Sequence, residues 1–252
     1  MTIVLVHGNP ETPAVWGPLL DALDTDRRAE AVCLSPPGFG APVPGGFGAT
    51  VEDYRRWLVG ELEAFDGPVD LVGHDWGGGH VLTVAMTRPD LMRSWASDVL
   101  GLFDPDYVWH DLAQAWQTPG VGEEHVAAML GGSDADRVGQ MTGLGIPRDV
   151  AEAMAPEQDA AMRDCILALY RSAAQPAMAE WGRGLPNAAQ RPGLALVATA
   201  DGFVGVDGVR ERAAARAGAQ TATLDGLGHW WMLEDPSRGA AALTAFWASL
   251  PR

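Results

Sequence analysis

Lysine is missing from this chain: all 17 of its basic residues are arginine. A Schiff base to substrate and a phosphate-binding loop closed by lysine are both excluded on that ground. Cysteine is nearly missing too. Cys33 and Cys165 stand alone, with no Cys-x-x-Cys or His-Glu-x-x-His spacing, so the pattern predicts no zinc or other metal site and fits a reducing, cytoplasmic compartment. No apolar run reaches the roughly 18 residues of a membrane span, and no basic-then-apolar leader opens the chain, so it reads as soluble and unexported. Positive charge is outweighed, and the net charge of −16 argues against nucleic acid or an anionic membrane as partner. What remains is 252 residues, 47% hydrophobic, enough for one large α/β domain or for a core with an insertion.

The stretch Val69-Asp70-Leu71-Val72-Gly73-His74-Asp75-Trp76-Gly77-Gly78-Gly79-His80 organises the rest. An apolar run interrupted only by Asp70 predicts a buried strand, and Val81, Leu82, Val84, Ala85 and Met86 predict a helix packed on it. Between them stands Gly-x-Asp-x-Gly, the spacing of a strand-turn-helix nucleophile elbow with Asp in the usual Ser position. Such a turn drives residue 75 toward positive φ, which Asp tolerates better than most side chains. Taken alone, Asp before a helix is a common N-cap. The rest of the chain decides between these readings.

Thr2–Val6 reads as a strand running into His7-Gly8-Asn9-Pro10, and Ala31–Leu34 as a second strand ending in a breaker-rich loop. Thr50 is placed to cap a helix carrying Val51, Tyr54, Leu58 and Leu62, with Asp53 three residues on. Arg93–Leu100 follows the elbow as the next strand. From 102 to 192 the alternation stops, and several short helices forming a cap are expected. Strands return at Gly193–Thr199 and Thr221–Leu224, with helices over Val209–Ala217 and Ala240–Trp247. The expected architecture is α/β, with a mostly parallel sheet and right-handed crossovers, divided into a core of 1–101 and 193–252 and a helical cap. Ligands of such sheets bind beyond the strand C-termini, where Asp75 falls.

Other loops should reach the same edge. His229, in Gly226-Leu227-Gly228-His229-Trp230-Trp231, follows the last strand and is the candidate base. Asp201 follows the preceding strand and can hold the imidazole through its other nitrogen. Asp98, at the end of the strand that follows the elbow, is the alternative acid. The chain order Asp75, Asp201, His229 matches the nucleophile-acid-base order of α/β-hydrolases.

His7-Gly8-Asn9-Pro10, Gly73-His74-Asp75-Trp76-Gly77-Gly78 and Gly228-His229-Trp230 resemble the α/β-hydrolase superfamily, and within it the Asp-nucleophile branch of epoxide hydrolases and haloalkane dehalogenases. Members usually carry two strands before the His-Gly motif. Here the chain begins on that strand, so about six strands are implied. The resemblance implies an alkyl-enzyme ester on Asp75, hydrolysed by water that His229 activates, with oxyanion donors at Trp76 and around Asn9 and no cofactor. Asp75 must be ionised, and the helix N-terminus and these donors are expected to keep its pKa low.

The leaving group divides the family. Trp116-Gln117-Thr118-Pro119-Gly120 and Leu169-Tyr170-Arg171 resemble epoxide-hydrolase cap motifs, which makes Tyr170 a donor to an epoxide oxygen. A second family tyrosine should stand four residues before Trp116, where this chain has Leu112; Tyr107 or His110 could replace it. Trp76 and Asn9 match the halide donors of dehalogenases. An epoxide hydrolase ranks first, a dehalogenase second, and a hydrolase of a fluorinated or lactone compound third; a non-catalytic binding protein of the same fold is the alternative from another class. The substrate is expected to be small and largely apolar, bound among Tyr107, Trp109 and His110, and both a monomer and a homodimer remain open.

Overall fold

The computed structural model describes residues 1–251. Six strands form one sheet: β1 (Ile3–Val6), β2 (Ala31–Leu34), β3 (Val69–Gly73), β4 (Met92–Ser97), β5 (Gly193–Ala198) and β6 (Gln220–Leu224), in the order β2-β1-β3-β4-β5-β6. Every pairing is parallel, so all six carboxyl ends lie along one edge. Parallel strands are buried on both faces, and β1 shows how the period of two serves both. Val4 and Val6 join one apolar core with the helices Val51–Glu63 and Trp76–Thr87, whereas Ile3 and Leu5 join another with Trp16, Leu19, Trp231 and Leu243.

The polar residue within β3 has its own account. Asp70 is buried, but its carboxylate accepts from Arg93 and, at 2.5 Å, from the Ser94 hydroxyl. Helix Val51–Glu63 begins as expected, with Thr50 and Asp53 satisfying each other's backbone N–H groups in a capping box.

Two elements differ from the sequence reading by more than two residues at an end. β4 ends at Ser97 instead of running to Leu100, because the Asp98 side chain turns back to bond the elbow and the chain then enters a short 3-10 turn at Leu100–Phe103. The last helix spans Pro236–Ser249, longer than Ala240–Trp247, with Asp235 as its N-cap. From 104 to 192 no described residue lies in a strand. Helices there include Asp111–Gln117, Val121–Met129, Asp134–Gly143, Arg148–Met154 and Ala160–Ser172. Among the described residues no helix is long and apolar enough to cross a membrane.

Candidate active site

Asp75 lies between β3 and its helix with φ +49°. It makes no capping hydrogen bond to that helix, so the N-cap reading fails. Three close approaches hold the turn. A methyl group on Gly73 would come within 2.5 Å of the Gly77 carbonyl, and one on Gly77 within 2.1 Å of the Val6 carbonyl. A methyl group on Gly8 would sit 2.2 Å from Asp75 Oδ1 itself. Only glycine leaves the carboxylate room beside the first loop.

That carboxylate has one oxygen engaged and one open. Oδ1 accepts the Asn9 backbone N–H at 3.0 Å, while Oδ2 lies 3.8 Å from His229 Nε2. The Trp76 N–H, first in its helix, has no intrahelical partner either. His229 Nδ1 is 2.9 Å from Asp201 Oδ2, and Asp201 is itself steadied by the Phe203 N–H at 2.8 Å. Of the two candidate acids, Asp201 is thus the one on His229. Asp98 is not: its Oδ1 accepts the Asp75 N–H at 3.0 Å, and its Oδ2 takes His74 Nδ1 at 2.5 Å and the Trp231 indole at 2.8 Å.

Beneath the site lies a network the sequence reading did not anticipate. His74 Nε2 meets Glu11 Oε1 at 3.1 Å, and Glu11 also accepts the Trp230 indole at 2.7 Å and the Gly8 N–H at 3.0 Å. Glu11 and His74 are fully buried. Burial disfavours both charges, but each stabilises the other, so Glu11 is held down to about 2 and His74, between Glu11 and Asp98, is raised well above the ordinary histidine value. Glu11, His74 and His229 could in principle gather round a metal ion. Yet His74 is a cation between two carboxylates and Glu11 is filled with donors, so the set is satisfied internally.

Asp75 departs from expectation. Its pKa is raised to about 6, because burial outweighs the pull of His229, His74 and the Asn9 N–H. A helix N-terminus and one backbone donor do not offset desolvation of a carboxylate enclosed by aromatic rings. His229 is also raised: burial opposes the charged form, but the Asp201 hydrogen bond and the charges of Asp201 and Asp75 prevail. If Asp75 must be ionised and His229 must later be neutral, activity should climb through pH 6 and again as pH passes above the ordinary histidine value. A kcat-pH profile flat from pH 5 to 9 would contradict both assignments.

Over Asp75 lies a cavity of about 140 Å³ lined by Asn9, Glu11, His110, Leu112, Tyr170, Phe203 and His229 among others, adjoined by a narrower one of about 20 Å³ that reaches Trp76, Tyr107 and Trp109. A larger open depression of about 640 Å³ beside Met1, Asp24 and Asp70 lies at the opposite sheet edge, away from these groups. Tyr170 is buried against Trp76, Trp109 and Trp116, with ring centroids 5.4, 5.5 and 4.7 Å away. Tyr107 does not replace the missing second tyrosine donor, since its hydroxyl donates to the Phe203 carbonyl at 2.9 Å. Among the described residues, the Asn9 side-chain amide, which lies beside the Tyr170 hydroxyl, and the Trp109 and Trp116 indole N–H groups are buried without a well-formed hydrogen bond. Trp116, Met129, Met141 and Met154 also line the larger of these two cavities, while Met162 is fully buried in the hydrophobic core.

Comparison with known proteins adds the context. Residues 3–243 match the alpha/beta hydrolase family. Haloalkane dehalogenase 2 of Mycobacterium tuberculosis is 32% identical over 114 residues, 40% of this chain and 38% of that protein. The (E)-2-((N-methylformamido)methylene)succinate hydrolase of Acinetobacter baylyi is 28% identical over 95 residues, 37% of this chain and 35% of that one. The matches thus span little more than a third of these relatives. Among solved structures, haloalkane dehalogenase DatA from Agrobacterium tumefaciens C58 superposes with a TM-score of 0.77 at 21% identity, covering 99% of this chain and 90% of that one. An E-2-(acetamidomethylene)succinate hydrolase gives 0.72 at 18% identity, covering 98% and 91%. At these identities the structural likeness is one of fold.

Proposed function

The chain belongs to the alpha/beta hydrolase family, and we propose that within it this hydrolase cleaves a carbon–halogen bond in a small, largely apolar substrate. The observation that carries the choice is the Asn9 amide, which is buried beside the Tyr170 hydroxyl without a well-formed hydrogen bond to any described residue, on the wall that also holds Asp75. A buried donor left unpaired costs about 1–3 kcal/mol, and a departing halide, which needs donors and no proton, would satisfy it. Trp76 lines the adjoining wall as the companion donor.

The open Oδ2 of Asp75 attacks the sp3 carbon, the carbon–halogen pair leaves as halide, and an ester forms on Asp75. His229 then takes a proton from water, and the hydroxide adds to the ester carbonyl carbon. The tetrahedral adduct collapses to the free Asp75 carboxyl group as the imidazolium returns its proton to the departing alkoxide, which leaves as alcohol. Oδ1 bears the oxyanion, facing the Asn9 N–H and the Trp76 N–H that opens the helix; one such donor is worth roughly 3–4 kcal/mol in the transition state. Asp201 orients His229 and stabilises its charge. The segment 102–192 serves as a cap that keeps bulk water from the ester, over a core of 1–101 and 193–252.

Epoxide opening is the second reading, supported by the buried Tyr170 hydroxyl above Asp75. It is placed second because ring opening needs an acid, and the tyrosine that would partner Tyr170 is Leu112 here. Side-by-side assay of bromoalkanes for halide and of epoxides for diol decides between them. Asn9→Ala keeps the backbone N–H to Asp75 and should lower kcat/KM for halide release about 10–100-fold, the worth of a hydrogen bond to a charged group. Diol formation without halide release would overturn the first reading in favour of the second.

A further inference from the structure

His110 opens helix Asp111–Gln117 where Ser, Thr, Asp or Asn usually stands, and its ring performs the capping itself: Nδ1 accepts the Ala113 N–H at 3.2 Å. An accepting nitrogen carries no proton, so the neutral ring must hold its proton on Nε2. Burial first, and then the charge of His229, keep the pKa below the ordinary histidine value, so the neutral form prevails at pH 7. The capping bond thus fixes the tautomer.

The place of that N–H is telling. The two cavities share four residues, Asp75, His110, Tyr170 and Phe203, so His110 stands where they join. Its ring meets Phe203 edge to face at 5.1 Å, and Phe203 meets His229 in the same way at 5.0 Å. Of the positions that could replace the missing second tyrosine, 112 is Leu and the Tyr107 hydroxyl is bonded to Phe203, which leaves His110 as a donor beside the Tyr170 hydroxyl and the Trp109 and Trp116 indole N–H groups of the same segment.

We propose that the His110 Nε2–H donates a hydrogen bond to the leaving atom of the substrate, from the helical segment, in addition to the donors of Asn9 and Trp76. The inference rests on the reading of Asp75 as nucleophile. The carbon–halogen electron pair departs with the halide while the proton stays on Nε2, so the group acts by electrostatic stabilisation and not by acid catalysis.

His110→Ser separates this role from helix capping, because Ser is a good N-cap yet too short to reach the cavity centre. In a His229→Gln background, the rate of adduct formation is followed by mass spectrometry with chloro-, bromo- and iodoalkanes of one chain length. Poorer leaving groups need more assistance, so adding His110→Ser should slow the chloroalkane about 10–100-fold, the bromoalkane less and the iodoalkane least. Slowing that is equal for all three, or none, would show a packing role only and overturn the proposal. No adduct from any of them in the His229→Gln parent would strike at Asp75 as nucleophile instead, and take the role of His110 with it.

Discussion

His229→Gln is expected to leave a protein that reacts once and stops. Among the described residues no donor bonds Oδ2 of Asp75, which lies 3.8 Å from His229 Nε2, so displacement needs no proton from the imidazole. Ester hydrolysis does, because water is too weak a nucleophile without a base. Steady-state turnover should fall by about 10²–10⁴, the usual contribution of general base catalysis, and the peptide carrying Asp75 should gain the mass of the alkyl group. In the parent protein, a single turnover in oxygen-18 water should give unlabelled alcohol and label on Asp75, since the delivered oxygen is the carboxylate's own. Labelled product, with no adduct in the variant, would mean that His229 activates water directly against the substrate. Asp75→Asn should abolish both steps and also stabilise the fold at pH 7. The carboxyl pKa rises from 3.8 to about 6 on folding, so stability falls as pH rises between those values, by roughly 3 kcal/mol, and a neutral amide escapes that loss.

Much of this was readable because local patterns carried it. Strand-helix alternation gave the parallel sheet, and with parallel strands every motif that follows a strand reaches one edge; Asn9, Asp75, Asp98, Asp201 and His229 therefore had to be neighbours. Gly73 and Gly77 announced the elbow because no other residue fits against Gly77 and Val6. The choice between Asp201 and Asp98 was not legible in the same way. Both acids follow a strand, and only the direction of each side chain separates one that reaches His229 from one that bonds the Asp75 N–H. Nor was the Glu11–His74 pair legible, since 63 positions separate them and neither stands in a spacing that implies a partner. The raised pKa of Asp75 escaped as well. It depends on how completely Trp76, Trp109 and Tyr170 close over the carboxylate, and no run of residues records that.

That buried pair carries the largest expected effect on stability. His74→Leu would leave Glu11 and Asp98 as two buried anions with their shared cation removed. Breaking a buried ion pair from one side costs about 3–5 kcal/mol, a large part of the roughly 5–15 kcal/mol that holds a domain folded. Its pH dependence follows from the two shifts. Glu11 falls from 4.5 to about 2 on folding, so its contribution is present above pH 4.5 and lost as pH drops toward 2. His74 moves the other way, well above 6.5, so its contribution is full below pH 6.5 and fades as pH rises through the folded value. The pair is therefore strongest between pH 4.5 and 6.5. Denaturant unfolding of parent and variant should differ most at pH 5–6 and progressively less on the alkaline side. Where His74→Leu folds too poorly to measure, Glu11→Gln keeps the shape, removes one anion and should shift the alkaline loss of stability to lower pH. A stability difference of equal size from pH 5 to 9 would show that His74 acts through packing against Trp16 and Trp231 and not through its charge.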